Sequence, residues 1–454
     1  MRLAFALVLM TTVASAAVAQ VSGVAPDPVP GLPGAGRPVD IEAFRARRAA
    51  LMDRIGDGVI AVPAAKQRDL ETVVLQDNDF RQDDYFFYLT GIETPNAWLL
   101  LLASSDGEDR AVLYLPPRDP NREQWTGRKL GPDDPAVRLI GIEDVRELDI
   151  TGFGRDVEEA LGRQSAPLFT VLWHGTKDNS VIQAWKHAGR HLRNVVPTID
   201  SMRVVKDRVE IAALRRAIAI TTEAHKSAMR AVHPGMYEYQ LEATVEYTFR
   251  NLGADRLGFA SIVGSGPNST TLHYDVNRRR MQDGDLVVVD VGAEYAQYSA
   301  DVTRTLPVNG RFSERQKAVY DLVLATQQAA IDAVRPGVTV RELSRIARSY
   351  MATNSGDLCG DKDCTRYFIH GLSHWIGMRV HDVGDYSMKL EPGAVLTVEP
   401  GIYIATENLG VRIEDDILVT DNGHEILSGG APRTTDDIER LMHSSERTNQ
   451  EGNY

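Results

Sequence analysis

Four carboxylates in the second half of the chain occupy places where an unpaired charge is costly. Asp290 closes the apolar run Leu286-Val287-Val288-Val289, and Glu399 closes Val395-Leu396-Thr397-Val398. A buried strand end disfavours an isolated charge, so something positive must meet each one. Asp301 follows in Tyr298-Ser299-Ala300-Asp301-Val302-Thr303-Arg304, and Glu414 lies in Val411-Arg412-Ile413-Glu414-Asp415-Asp416-Ile417-Leu418-Val419, read as one strand after Glu399. A hairpin centred near Tyr295-Ala296 would bring the Cβ atoms of Asp290 and Asp301 within ~5 Å. Carboxylates that close must share a proton or a cation. No Asn-Gly or Gly-Gly pair marks that turn.

Three of the eleven histidines crowd into His370-Gly371-Leu372-Ser373-His374 and the nearby His381. A lone histidine is usually a satisfied core residue. Three in one glycine-punctuated segment, beside four carboxylates, point to a site. His370 and His374 have the spacing of a zincin helix, but Gly371 stands where that motif needs glutamate. An oxygen-rich set with one or two imidazoles favours Mn2+, Co2+ or Fe2+ over a closed structural zinc. Four carboxylates exceed what one ion with an open position needs, so two ions are expected. A metal pair ~3.5–4 Å apart can share a hydroxide nucleophile and clamp a tetrahedral intermediate. Other chemistries find little support. There is no G-x-S-x-G elbow, neither cysteine neighbours a suitable base, and Gly264-Ser265-Gly266 lacks the third glycine of a dinucleotide fingerprint.

The elements that must position these groups repeat. Ala231-Val232-His233-Pro234-Gly235 precedes a helix from Glu238 to Phe249, and Ala333-Val334-Arg335-Pro336-Gly337 precedes one from Val340 to Met351. Asp283 to Asp290 then echoes Glu391 to Glu399: turn, apolar strand, carboxylate. Two echoes in the same order suggest duplicated α+β halves, in which Asp290 answers to Glu399 and Asp301 to Glu414. Upstream, Lys206 to Arg215 opens a long amphipathic helix, and a boundary falls near Ser201. Residues 40–200 alternate strand-like runs (Val59-Val62, Ala97-Leu102, Ala111-Leu115) with helical ones (Ile41-Ile55, Val157-Leu161), the pattern of an α/β domain.

Length and composition narrow the classes. The chain has 454 residues, 43% hydrophobic and 25% charged, with a net charge of −13. It is too apolar to be disordered, and too acidic to offer a face for nucleic acid. Arg2, the apolar run Leu3 to Met10 and the small residues ending Ala17-Val18-Ala19 read as a secretory leader over 1–19. No later stretch is apolar enough to span a membrane, so the mature chain is expected to be exported and soluble. Residues 20–38, with five prolines, read as a tether, and 436–454 as a polar tail. Cys359 and Cys364 bracket a turn-like stretch. In an oxidising compartment a local disulfide is favoured over two free thiols.

From Lys206 to Leu427 the chain resembles the pita-bread metallopeptidases, which include methionine aminopeptidase, prolidase and aminopeptidase P. Asp290 and Asp301, His374 in His-Gly-Leu-Ser-His-Trp, Glu399 in Val-Glu-Pro-Gly-Ile-Tyr and Glu414 in Arg-Ile-Glu-Asp-Asp carry the likeness. It implies an α+β fold, with a pita-bread domain of pseudo-twofold halves over 201–435 preceded by a smaller α/β domain over 39–200. It implies that the five residues hold two divalent ions, manganese foremost, with Co2+, Fe2+ or Zn2+ as alternatives. Asp301 and Glu414 would bridge the ions, and Glu399 would also shuttle a proton to the bridging hydroxide. His273 matches a substrate-binding histidine, His381 one that stabilises the intermediate, and His370 a third pocket histidine. Tyr403 and Arg412 match residues lining or supporting the pocket, although Arg412 could equally be a solvated strand arginine. Asp79 to Gly91 and Trp125 to Gly131 resemble the amino-terminal domain of bacterial aminopeptidase P, and so imply a homodimer or homotetramer. The expected reaction is release of the residue preceding proline in peptides. Prolidase, acting on dipeptides, is the alternative, and a non-catalytic binding module a more distant one. The segments between His381 and Glu399 and between Glu399 and Glu414 are shorter than in bacterial aminopeptidase P.

Overall fold

A computed structural model describes residues 40–67, 80–105, 107–134, 137, 140–164, 167–173 and 176–450. The expected leader and tether, and Asp79 of the amino-terminal motif, lie outside them. The first portion is a mixed sheet of six strands. Gly58–Pro63 at its centre pairs antiparallel with Trp98–Ala103 and parallel with Leu168–Thr170. Every residue of Gly58–Pro63 is buried, which is why the run reads as continuously apolar rather than alternating. Helix Ile41–Ile55, capped by the Asp40 carboxylate on the Ala43 amide, lies against one face.

Helix Val196–Arg203 leads into the second portion, which opens with helix Arg208–Ala231. Its start is fixed by a reciprocal capping box between Asp207 and Glu210, and one stripe from Ala213 through Ile220 to Ala228 is buried. The duplication expected from the sequence is visible in the backbone. The Gly235 amide donates to the Met281 carbonyl and the Gly337 amide to Leu390. Isolated bridges join Tyr237 to Arg280 and Thr339 to Lys389. The turn glycines Gly235 and Gly337 share φ near 90° (90° and 88°), a conformation that costs glycine alone nothing. Each half then enters its central strand, Leu286–Val291 or Val395–Val398.

The hairpin after Asp290 differs from expectation. Its turn is Ala296-Gln297, both with positive φ (52° and 63°), so Tyr295 pairs with Tyr298. The register therefore sets Asp290 opposite Thr303, not Asp301. Two non-glycine residues hold this mirror-image turn because tertiary contacts secure it: Ala296 donates its amide to Asp255, and Gln297 is fully buried. The segment 411–419 is likewise two strands rather than one. Leu409–Arg412 pairs with Gly401–Ile404, and Asp415–Thr420 with Val395–Val398. The chain breaks between them because Glu414 leaves the ladder to donate its amide to the Thr303 carbonyl of the other half. Residues 436–454 were expected to be a polar tail, but Thr435–Gln450 is a helix packed on Arg208–Ala231 with Ile438 and Met442 buried. Ile438, Leu441 and Met442, at helical spacing, give this otherwise polar helix one apolar stripe by which it docks. Cys359 and Cys364 form a disulfide.

The halves are clamped by Arg304, which is fully buried. It pairs with Asp415 at 2.7 Å and donates to the Glu414 and Ala431 carbonyls. Removing one member of a buried pair strands the other charge, at a cost of about 3–5 kcal/mol. Arg304→Met is accordingly expected to lower unfolding free energy by that amount in urea titration. A loss under 1 kcal/mol would show that the clamp is dispensable.

Candidate metal and peptide site

Between the halves lies a cavity of about 440 Å³. Asp290 comes from the strand Leu286–Val291, and Asp301 precedes the strand Val302–Pro307. Glu399 follows Val395–Val398, and Glu414 occupies the break between two strands. His374 arrives on the glycine-punctuated loop from His370, held because its amide donates to Thr397 Oγ1 and its carbonyl accepts from the Thr397 amide. All five residues line the cavity.

The histidine is set for coordination. Its Nδ1 lies 3.1 Å from the Trp375 carbonyl, so that nitrogen carries the hydrogen and Nε2 presents its lone pair. Nε2 is 3.3 Å from Asp301 Oδ2, 3.6 Å from Glu399 Oε1 and 3.9 Å from Glu414 Oε1. Burial lowers the His374 pKa to about 4, which keeps the ring neutral. Ligand atoms of Asp301, His374 and Glu414 all fall within 4.8 Å of one another.

The carboxylates lack the positive charge that burial demands. Asp290 Oδ1, Asp301 Oδ1 and Glu414 Oε1 are buried with no hydrogen-bond partner. Burial and then the neighbouring Glu414 push Asp301 and Glu399 well above the usual carboxylate range. Glu414 is pushed up to about 8, by burial and then by Asp290. Orphaned, mutually repelling carboxylate oxygens around a neutral imidazole are a donor set that fits divalent cations.

A second chain of contacts frames the cavity. Arg412 is buried, not solvated, and donates to Asp290 Oδ2 at 2.6 Å and to the Tyr403 hydroxyl at 3.0 Å. The Tyr403 hydroxyl lies 2.8 Å from His370 Nε2, while His370 Nδ1 is 2.7 Å from the Gly371 carbonyl. The carbonyl takes the Nδ1 hydrogen, so Nε2 accepts from tyrosine. Burial and then Arg412 lower the His370 pKa to about 4, consistent with that neutral form. His273 and His381 line the cavity from its exposed side, the His381 ring 4.4 Å from that of His374. All ten residues singled out in the sequence thus converge, Tyr403 alone standing behind the cavity wall.

Thr303 was not anticipated. Its hydroxyl donates to Glu414 Oε2 at 2.7 Å and accepts from Arg412 Nε at 3.3 Å, which orients both. Its only sequence signal was the alternation that places it two residues after Asp301. Asp416 was also passed over; it accepts the Asp301 amide at 3.1 Å.

Comparison with known proteins follows the same lines. The model of metallopeptidase family M24 matches residues 212–421, and that of the aminopeptidase P N-terminal domain matches 44–168. The Xaa-Pro aminopeptidase of Escherichia coli is 35% identical over 443 residues, covering 89% of this chain and 98% of that protein. Human Xaa-Pro aminopeptidase 3 is 32% identical over 396 residues, covering 80% and 76%. Among solved structures, proline aminopeptidase P II from Yersinia pestis superposes with a TM-score of 0.81 at 34% identity, covering 89% of this chain and all (100%) of that one.

The raised carboxyls make a pH prediction for the metal-free protein. Glu414 holds its proton in the folded state up to about 8 but only to about 4.5 when unfolded. The folded form therefore binds more protons, and stability falls as pH rises through this range. His374 has the opposite sign, its contribution growing as pH rises from about 4 to 6.5, so it is complete above that. Between pH 6.5 and 8 the chelated wild type should lose stability relative to chelated Glu414→Gln, read as the difference in thermal midpoints. Parallel midpoints across the window would refute the assignment.

Proposed function

The chain belongs to metallopeptidase family M24, in the branch that carries the aminopeptidase P N-terminal domain, and we propose that it releases the N-terminal residue from peptides with proline second, using two divalent ions held by Asp290, Asp301, His374, Glu399 and Glu414. The observation that carries this reading is the group of buried carboxylates around His374 Nε2 in one cavity, where Asp290, Asp301 and Glu414 each keep one oxygen without a hydrogen-bond partner. Bound there, divalent ions would lower the pKa of a water and polarise the carbonyl of the scissile bond.

The remaining work falls to side chains. Glu399 lies between two histidines, 3.6 Å from His374 Nε2 and 3.8 Å from His370 Nδ1. From there it takes the proton of the attacking water and delivers it to the departing prolyl nitrogen. That nitrogen is a poor leaving group unless protonated. His381 and His273, at the open side, donate to the developing oxyanion and hold the peptide backbone. The Arg412–Tyr403–His370 chain fixes one wall, while Phe259, Ile262 and Leu272 supply an apolar surface suited to a pyrrolidine ring. Manganese is the ion we favour, since the donors are mostly hard oxygens. The leader read over residues 1–19 directs the chain to an exported compartment, and assembly into a homodimer or homotetramer is part of this reading. No helix among the described residues is long and apolar enough to cross a membrane.

The test uses mature protein from Gln20 onward, stripped with chelator and reloaded with Mn2+. It is offered an Xaa-Pro-Yaa tripeptide and an Xaa-Pro dipeptide in parallel. The tripeptide should lose its first residue, and Glu399→Gln should lower kcat by roughly 10²–10⁴. Metal analysis on the same samples should give two ions per wild-type chain. Cleavage of the dipeptide alone would make the enzyme a prolidase. Turnover unaffected by chelation or by Glu399→Gln would end the proposal.

A further inference from the structure

Beside the catalytic cavity lies a second concavity of about 700 Å³. The two share a wall, Gly371 and Ser373, and Tyr386 lines the second one. Helix Val340–Asn354 forms its floor and presents Arg341, Arg345 and Arg348 along one side, interleaved with Ser344 and Ser349. Spacings of four and three place the three guanidiniums on one helical face.

The three arginines are not equivalent. Arg348 is committed: it donates to the Phe368 and His370 carbonyls and stacks over the Phe368 ring at 4.5 Å. Arg341 and Arg345 are exposed, and neither makes a hydrogen bond or ion pair with any described residue. Each has one carboxylate nearby, held by neutral donors rather than bonded to the guanidinium. Asp385, near Arg341, accepts from the Ser387 amide, and Glu342, near Arg345, accepts from Thr339. In a chain of net charge −13, two exposed arginines with no bonded acidic partner stand out at the edge of the active site. Ser373 Oγ, in the shared wall, is buried without a partner.

An aminopeptidase constrains what this groove can hold. Only one residue precedes the scissile bond, so, apart from that residue's side chain, any part of the substrate reaching beyond the cavity does so on the leaving side. We infer that the groove over Arg341 and Arg345 takes a carboxylate of the departing peptide downstream of proline, and so selects acidic or short substrates. The inference rests on the exopeptidase reading above. The carboxylate has two sources, an Asp or Glu side chain or the C-terminus of a short peptide. Such a contact acts on substrate capture rather than on the bond being broken.

Four peptides separate these cases for wild type and for Arg341→Ala/Arg345→Ala, both loaded with Mn2+. They are Ala-Pro-Ala-Ala amide, the same peptide with a free C-terminus, Ala-Pro-Glu-Ala amide and Ala-Pro-Ala-Glu amide. For wild type, KM should be lower for at least one carboxylate-bearing peptide than for the neutral amide. The double variant should raise that KM roughly three- to tenfold, as expected for two partly exposed charge pairs. Its kcat should hold. The preference should fade at ~1 M salt, where the screening length is ~3 Å. The peptide that responds identifies the source of the carboxylate. Equal KM for all four peptides in wild type, or an equal loss on all four in the variant, would overturn the inference. If none of the four peptides is cleaved by wild type, the exopeptidase reading fails instead.

Discussion

The architecture turns on one electrostatic demand. Four carboxylates are gathered in a cavity where burial strips most of their hydration, and the protein supplies a single guanidinium, Arg412, to one oxygen of Asp290. Packing them without cations would leave buried oxygens unpaired and raise their pKa values, as it does for Asp301, Glu399 and Glu414. A chain that retained such a cluster for stability alone would gain by replacing it with apolar residues. Here the surroundings do the reverse and hold the acids open. Thr303 binds one oxygen of Glu414 and leaves the other free, and the Trp375 carbonyl turns the His374 lone pair inward. The site is built to remain unsatisfied by protein.

That demand explains why the site straddles two copies of one unit. Each half ends its central strand in an acid, Asp290 or Glu399, and the donor atoms of Asp301, His374 and Glu414 that lie close enough to share a cation come from both halves. Bringing the halves together costs backbone pairing at the seam, and the seam repairs itself with cross-half contacts. Glu414 donates to the Thr303 carbonyl, Thr305 exchanges hydrogen bonds with the Arg412 backbone, and Arg304 reaches across to Asp415. The strand break at Ile413–Glu414 is part of this repair. An unbroken ladder would keep Glu414 in the register of one half.

These features explain what was legible in the sequence. The helices Ile41–Ile55 and Glu238–Asn251 are marked by their caps and the strand Gly58–Pro63 by its unbroken apolar run, all of them local signals. The ligand set was legible because acids at the ends of apolar runs violate the ordinary pattern. The register of the Asp290 hairpin was not. It depends on Ala296 and Gln297 accepting positive φ, and that is secured by Asp255, distant in sequence. The buried state of Arg412 was equally hidden: its neighbours in sequence look like any strand, and only the partner hydroxyls of Tyr403 and Thr303 reveal its role. The docked helix Thr435–Gln450 was missed because its apolar stripe is short, Ile438, Leu441 and Met442 alone in a run of polar residues.

The amino-terminal portion is more than an appendage to this centre. Asp382, next to His381, is buried against Arg203 at 2.6 Å and Lys206 at 3.5 Å. Arg203 also faces Asp84 at 3.9 Å, and Arg81 spans from Asp84 to Glu294 and the Met378 carbonyl. The loop that carries His381 is thus held by a lattice of charges that includes Lys206 and runs through Arg203 to Asp84 and Arg81, on the amino-terminal helix Asp84–Thr90 and its approach, and on to Glu294. Such a lattice is a weak source of net stability, because each ion loses its hydration. Its effect is geometric: with opposite charges fixed on two portions of the chain, few arrangements satisfy all of them. Asp382 occupies the space beside Gly377 so closely that a Cβ there would stand 2.1 Å from its oxygen. The loop has no slack on that side, and the position of His381 over the cavity is therefore set as much by residues 81–84 as by the half that contains it.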